Sequence, residues 1–288
     1  TIAGAGLAHS VGGLAQLTDG RGISASSASA DTAELAADLP GVSLRRIPHY
    51  ARMALLAAVR ALDDAGWRQA SDLRDVALVM GTAYGSPQMS MDFMDSILDG
   101  GPRLSSPTAF SHAVNNMGGG LLSLLLDLQG PCLTVSQFDL SFAGAAFVAT
   151  TMLRAGRARR VLVGVVDEMD GRFARCCPQT QKAGIAQTEG AVFLCLEPPD
   201  PKRIQMSVRW GQNGDARHPA FVSGSALPIG DDSRRNELLY GHGPSAQALD
   251  VLLALNAIRN GTARRIDCAC VAASSQRSAV IEIRESSP

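Results

Sequence analysis

One segment restricts the possible architectures more than any other. Leu140 to Leu153 has helical character but is built from small residues on every side: Ala143, Gly144, Ala145, Ala146 and Ala149. Such a helix has no wide polar face and must be packed on most of its sides. It is flanked by two short β-branched runs, Leu133 to Ser136 and Val161 to Val166, each expected to be a buried strand. The expectation is a helix in the middle of a layered α/β body.

The rest of the chain supplies the other layers. Thr1 to Leu7 reads as a strand closed by a tight turn at Gly4-Ala5-Gly6, and Gly12 to Pro40 as loop. Tyr50 to Gly66 has apolar residues at helical spacing and stops at a glycine. Val76 to Gly81 is a buried strand, and Val114 to Leu128 a helix broken by Gly130-Pro131. Beyond a polar hinge at Pro198 to Lys202 the pattern recurs in shorter form. Gln205 to Trp210 reads as a strand, Ser245 to Asn260 as a helix, and Cys268 to Ala273 and Ala279 to Ile283 as strands. Two related α/β lobes in stacked layers are expected, residues 1–198 and a shortened lobe at 203–288.

Composition narrows the function. With 46% hydrophobic residues and a net charge of −1, the chain can bury a sizeable core and carries no bulk charge that would favour nucleic acid. No apolar run is long enough to cross a bilayer, and the expected compartment is a reducing cytoplasm. The six cysteines form no Cys-x-x-Cys pair and no histidine stands at zinc-ligand spacing, so no metal or other cofactor is expected. Arg154, Arg157, Arg159 and Arg160 follow the central helix; they suit either its negative C-terminal end or a docking role.

A family resemblance rests on a series of short motifs. Gly101-Pro102-Arg103, Ser106-Pro107, Asn116-Met117, Gly130-Pro131 and Thr134-Val135-Ser136 follow one another in the order and spacing of β-ketoacyl synthases. Val161 to Gly164 with Asp167-Glu168, Glu189-Gly190-Ala191 and Gly241-His242 continue the match. The resemblance implies the thiolase-like fold, in which a cysteine at the start of the central helix condenses acyl units carried on an acyl carrier protein. Helix-end N–H groups stabilise such a thiolate.

In this sequence the nucleophile position carries Asp139, reached without a gap from Gly130-Pro131 and again from Gly156. A carboxylate is a weak nucleophile, and its acyl adduct would be an anhydride. Asp139 therefore reads either as a helix cap or as a group facing a partner's site. Nothing between Trp210 and Glu237 resembles the family's first histidine segment. Glu237 stands where its lysine would be, and Ala273 to Gln276 replaces its Gly-Phe-Gly-Gly turn; of these parts only His242 remains. Glutamine takes the cysteine's place in chain length factors, and Gln137 lies two residues before the aligned position.

The resemblance thus implies a non-catalytic chain length factor. It would pair with an active ketosynthase and shape its acyl tunnel in type II polyketide, possibly polyene, biosynthesis. An acyl carrier protein would engage through that partner by its phosphopantetheine-bound chain. The residues expected at the tunnel or interface are Tyr84, Ala109, Phe110, Val114, Asn116, Met117, Leu133, Val135, Gln137 and Phe138. Two other readings stay open: a decarboxylase or atypical acyltransferase using Asp139 and His242, and a purely structural stabiliser of a ketosynthase.

Overall fold

Every residue of Val76–Gly81 is buried, a pattern that only a strand covered on both faces can sustain. In the computed structural model, which describes residues 1–10, 12, 29–70, 72–177, 187–212, 243–271 and 277–285, this strand lies inside a five-stranded sheet. The strands are β1 (Ile2–His9), β2 (Val76–Gly81), β3 (Cys132–Val135), β4 (Arg160–Asp167) and β5 (Gly190–Leu196). Their order is β1-β5-β4-β2-β3. β4, β2 and β3 run parallel, while β5 is antiparallel to both β4 and β1. β3 thus lies at one edge.

Helices cover both faces. On one, α1 (His49–Asp64) sets Tyr50, Met53 and Leu56 against Leu78, Met80 and Phe193. After it come α2 (Pro87–Gly100), α3 (Pro107–Ala113) and α4 (Met117–Leu125), the last packed on the same face as α1. The opposite face carries Val79, Val163, Val165 and Leu194 and meets the central helix α5 (Ser141–Arg154). Ala143, Ala145, Ala146 and Ala149 of α5 are fully buried, as their size requires, while Phe147, Thr151 and Arg154 leave one narrow stripe exposed. α6 (Gly171–Cys176) is short, and α7 (Ala246–Arg259) lies beside α5 in the same core. The α5 C-terminus is closed at Gly156 (φ +64°), with Arg157 N–H donating to Met152 C=O and Gly156 N–H to Leu153 C=O. This is the left-handed stop that glycine supplies most easily.

Beyond α5 and α7 lies a second sheet of β6 (Gln205–Gln212), β7 (Arg265–Val271) and β8 (Arg277–Arg284), in the order β6-β8-β7. Its sides alternate with the pleat. Met206, Val208, Ile266, Cys268, Ile281 and Ile283 face the helices. On the outer face Arg265 pairs with Glu282 at 2.7 Å and Asp267 at 3.3 Å, Arg284 with Glu282 at 3.6 Å, and Arg209 with Asp267 at 3.8 Å. A face of this kind is built for water.

Most expected elements are present with ends shifted by a few residues, and three readings are corrected. The loop expected over Gly12 to Pro40 carries a short helix, Leu35–Asp38, and residues 13–28 of it lie outside the described residues. The helix expected over Val114 to Leu128 begins only at Met117 and ends at Leu125; Asp127, at φ +51°, has left the helix. Gly4 and Gly6 do not form a turn but lie inside β1, where α1 crosses the strand. A β-carbon on Gly6 would stand 2.1 Å from Ala57 O and 2.4 Å from Ala61 N, both backbone atoms of α1. Gly6→Ala must push the helix off the sheet and is expected to cost about 3 kcal/mol. A urea titration that places the variant within 1 kcal/mol of the parent, roughly the effect of an ordinary surface change, would count against this packing.

Candidate functional site: the elbow between β3 and the central helix

Between β3 and α5 the chain makes a sharp elbow. Gln137 is followed by a tight turn, Phe138–Leu140, and α5 begins at Ser141. Phe138 has φ +47°, a region that non-glycine residues enter at some cost and mostly where the surroundings enforce it. Ser141 enforces it here. Its Oγ accepts from Gln137 N–H at 2.9 Å and lies within hydrogen-bonding reach of the carbonyls of Phe138 at 2.7 Å and Thr82 at 3.0 Å. Gln137 Oε1 lies over Gly144 of α5, only 2.6 Å from where a β-carbon would stand.

Asp139 is in the middle of this turn and partly buried. The helix-cap reading is corrected, because the N-cap position is Leu140. Three aromatic rings adjoin the elbow. Tyr84 meets Phe138 edge-on at 5.9 Å and Phe173 at 5.0 Å. Burial, reinforced by the nearby Asp139 charge, raises the Tyr84 phenol above its ordinary range.

Behind the elbow stand carboxyl groups that the sequence reading had used only as family markers. Asp167 ends β4, Glu168 follows it, and the two are 1% and 3% exposed. Asp167 Oδ1 accepts from Thr82 Oγ1 at 3.1 Å, Ala83 N–H at 2.8 Å and Tyr84 N–H at 3.3 Å. Glu168 Oε2 accepts from Ser86 Oγ at 2.8 Å and from Gln88 N–H at 3.4 Å. Glu189 accepts from Ala30 and Met169 N–H and lies 2.6 Å from His49 Nε2. Burial pushes the Glu189 carboxyl up, but His49 and the two N–H groups outweigh it, and the net direction is down. Two carboxyl groups at the foot of a fully apolar strand were the signal available in the sequence.

For Asp167, burial is the largest influence. Three donors hold the carboxyl down, Asp139 pushes it up, and the balance is a value of about 7. The unfolded chain holds such a proton only below about pH 4. The stability that this proton contributes is therefore complete below about pH 4 and lost as the pH rises to about 7. Its full span is about 4 kcal/mol. Asp167→Asn keeps the acceptor oxygen and removes the titration. The difference in unfolding free energy between wild type and this variant should shift in the variant's favour from pH 4 to 7, then level off. A difference constant across that range would remove Asp167 as the titrating group.

The remaining expected residues divide by exposure. Leu133 (45%), Phe138 (59%), Phe110 (56%) and Val114 (42%) are exposed apolar side chains, with Leu124 (75%) alongside them in type. Asn116 and Gln137 are exposed, and Val135 and Tyr84 half-buried. Ala109 and Met117 are buried within this chain. Along β3 the carbonyls of Pro131, just before the strand, and Val135 accept from Leu78 N–H and Thr82 N–H on the β2 side. In a parallel ladder the N–H and C=O of Cys132 and Thr134 then point outward, away from the sheet. His242, Glu237, the stretch without a first histidine and Ala273 to Gln276 lie outside the described residues.

The side chain at the middle of the elbow is the carboxyl group of Asp139. Burial raises the thiols of Cys132, Cys195, Cys268 and Cys270, so none of these four is activated.

Comparisons with known proteins agree with this geometry. The chain is 26% identical over 132 residues to the chloroplastic 3-oxoacyl-[acyl-carrier-protein] synthase I of Hordeum vulgare. That alignment takes in 44% of this chain and 29% of the barley protein, so the chain spans less than a third of this curated relative. The ishigamide ketosynthase/chain length factor structure superposes with a TM-score of 0.74 at 19% identity, covering 99% of each chain. The AntDE:AntF structure, a type II PKS acyl-carrier protein in complex with its ketosynthase bound to the hexaketide, also gives 0.74, at 15% identity, covering 99% of this chain and 98% of that one. At such identities the likeness is one of fold, and the fold is the thiolase-like one. The model of the β-ketoacyl synthase N-terminal domain matches residues 17–193, more than half of the sequence. From the layered sheets to the elbow at Asp139, the chain belongs to the β-ketoacyl synthase family.

Proposed function

We propose that this chain is a non-catalytic chain length factor, paired with an active ketosynthase whose acyl tunnel it helps to shape in type II polyketide biosynthesis. The observation that carries the reading is an elbow kept in form, with Ser141 fixing its backbone, while its nucleophile is replaced by Asp139. A partner must then supply the thiol, and the open edge of β3 with exposed Leu133 supplies a place for that partner. Carrier-bound chains would reach the tunnel through the partner. The association of ketosynthases with chain length factors in the superposed structures supports the same assignment.

Co-expression with a ketosynthase that has an intact cysteine is the direct test. A stable one-to-one complex with condensing activity is the expected outcome. Malonyl-thioester turnover by this chain alone would favour a decarboxylase instead.

Within that pair, the α3 segment is the proposed limit on product length. Phe110 points outward and is braced by Phe93, with ring centres 5.2 Å apart. A floor formed by a rigid ring rejects one more extension at a cost of about 1–3 kcal/mol, roughly tenfold or more in rate. Phe110→Ala should lengthen the product, and Val114→Trp, which adds bulk at an exposed position, should shorten it. Mass spectrometry of products from the reconstituted pair reads both. Unchanged lengths with normal assembly would remove α3 from the role.

A further inference from the structure

α2 and α3 form an arm on the body of the chain. Among the described elements, α2 packs on α3 and on the Pro102–Leu104 turn between them, and it meets the other helices and strands chiefly at α6. Its apolar residues Met89, Phe93 and Ile97 are only half-buried, while Met94 and Leu98 are exposed. Burial of that extent anchors a helix weakly. The two helices are joined into one piece: Ser106 N–H donates to Ser96 Oγ at 2.9 Å, and the Phe93 ring braces Phe110.

The meeting with α6 centres on Arg172. Its Nη1 donates to Asp95 and its Nη2 to Asp92, both at 2.8 Å. These two carboxylates stand three residues apart, on one face of α2. The other edge of the guanidinium faces Asp170, with Nε and Nη2 at 3.3 and 3.1 Å from Oδ2. Asp170 is itself held in place: its side chain is 12% exposed and accepts from the N–H groups of Arg172 and Phe173 at the start of α6. Phe173 in turn rests on Tyr84 beside the elbow. One planar fork thus serves carboxylates on both sides at once, a geometry that a lysine cannot copy. Isolated surface ion pairs contribute little to stability, but a network on an arginine that grips two elements is the exception.

We propose that Arg172 is a positioning residue: it fastens the α2–α3 arm to α6 and so fixes where Phe110 stands. Without the guanidinium, Asp92 and Asp95 face Asp170 unopposed, and like charges push the arm away. The consequence for product length rests on the chain length factor reading: a tunnel floor on a loose arm admits chains of several lengths.

Hydrogen exchange of the full chain, in whichever assembly it purifies, tests the clamp. Arg172→Gln should lower the protection of the α2 amides from Asp95 to Leu98 about tenfold relative to those of α5, the scale of two partly exposed ion pairs acting together. Arg172→Lys, a point charge without the fork, should recover part of the loss. One molar sodium chloride, which shortens the screening length to about 3 Å, should bring α2 of the parent toward the Arg172→Gln level and leave that variant as it was. Asp92→Asn combined with Asp95→Asn should loosen α2 as well, and Arg172→Gln added to that pair should change α2 little further. Unchanged α2 protection in Arg172→Gln, or a loss shared equally by α5, would overturn the clamp. Should Arg172→Gln fail to fold, the Asp92→Asn, Asp95→Asn variant decides by the same two outcomes. Mass spectrometry of products from the pair reconstituted with a ketosynthase should show a broader spread of chain lengths for Arg172→Gln. A loosened α2 with parental products keeps the clamp and removes α3 from the control of chain length.

Discussion

Thr134→Pro is expected to abolish pairing with the proposed ketosynthase partner while leaving the fold of this chain intact. The substitution removes one outward N–H from β3, and the inward ladder to β2 uses Pro131 and Val135 instead. Proline is tolerated on a strand edge when its missing N–H would have faced away from the sheet. An interface continued across that edge loses a backbone hydrogen bond and meets the pyrrolidine ring, and the expected loss is about 100-fold or more in affinity. Size-exclusion chromatography of the co-expressed pair should show the complex dissolve. Far-ultraviolet circular dichroism of this chain should stay the same. A complex of parental strength would place the interface elsewhere on the molecule.

The second large effect concerns chemistry. When the pair is incubated with an acyl-carrier thioester, the acyl mass should appear on the ketosynthase and not on this chain. Loss of a catalytic nucleophile commonly costs on the order of 10⁴-fold or more in rate, and Asp139 supplies no thiolate. Asp139→Cys in this chain should still give no condensation, because the family's first histidine segment and its lysine have no counterpart in the sequence. Intact-mass spectrometry separates the two subunits. A stoichiometric adduct on the parental chain would mean that Asp139, or another side chain, is a working acceptor.

How much of this was readable from the sequence varied with how local the physics is. β2 was delimited correctly because a run of apolar residues closed by glycine leaves one interpretation. The small-residue central helix likewise announced its own burial. Gly4 and Gly6 were misread because sequence cannot separate a glycine that turns from one that admits a neighbouring helix. α2 was not recognised: Met89, Phe93 and Ile97 recur at helical spacing, but all three are only half-buried and exposed Met94 and Leu98 blur the stripe. At the elbow the position of Asp139 was legible from spacing. The Asp167–Glu168 pair was visible as letters, but its work depends on N–H groups eighty or more residues away in the chain. Long-range polar contacts of that kind have no periodicity to betray them.

The ion-paired outer face of the second sheet has a consequence for stoichiometry. A polymer needs two mutually complementary sticky surfaces on each subunit, and an assembly with one stays finite. The open β3 edge is such a surface, but the far face, among the described residues, carries Arg209, Arg265, Asp267, Glu282 and Arg284 tied into mutual ion pairs. Stacking through that face would strip water from five charged groups for little return. Growth from that side is blocked by solvation, and even concentrated preparations should hold discrete pairs rather than fibres.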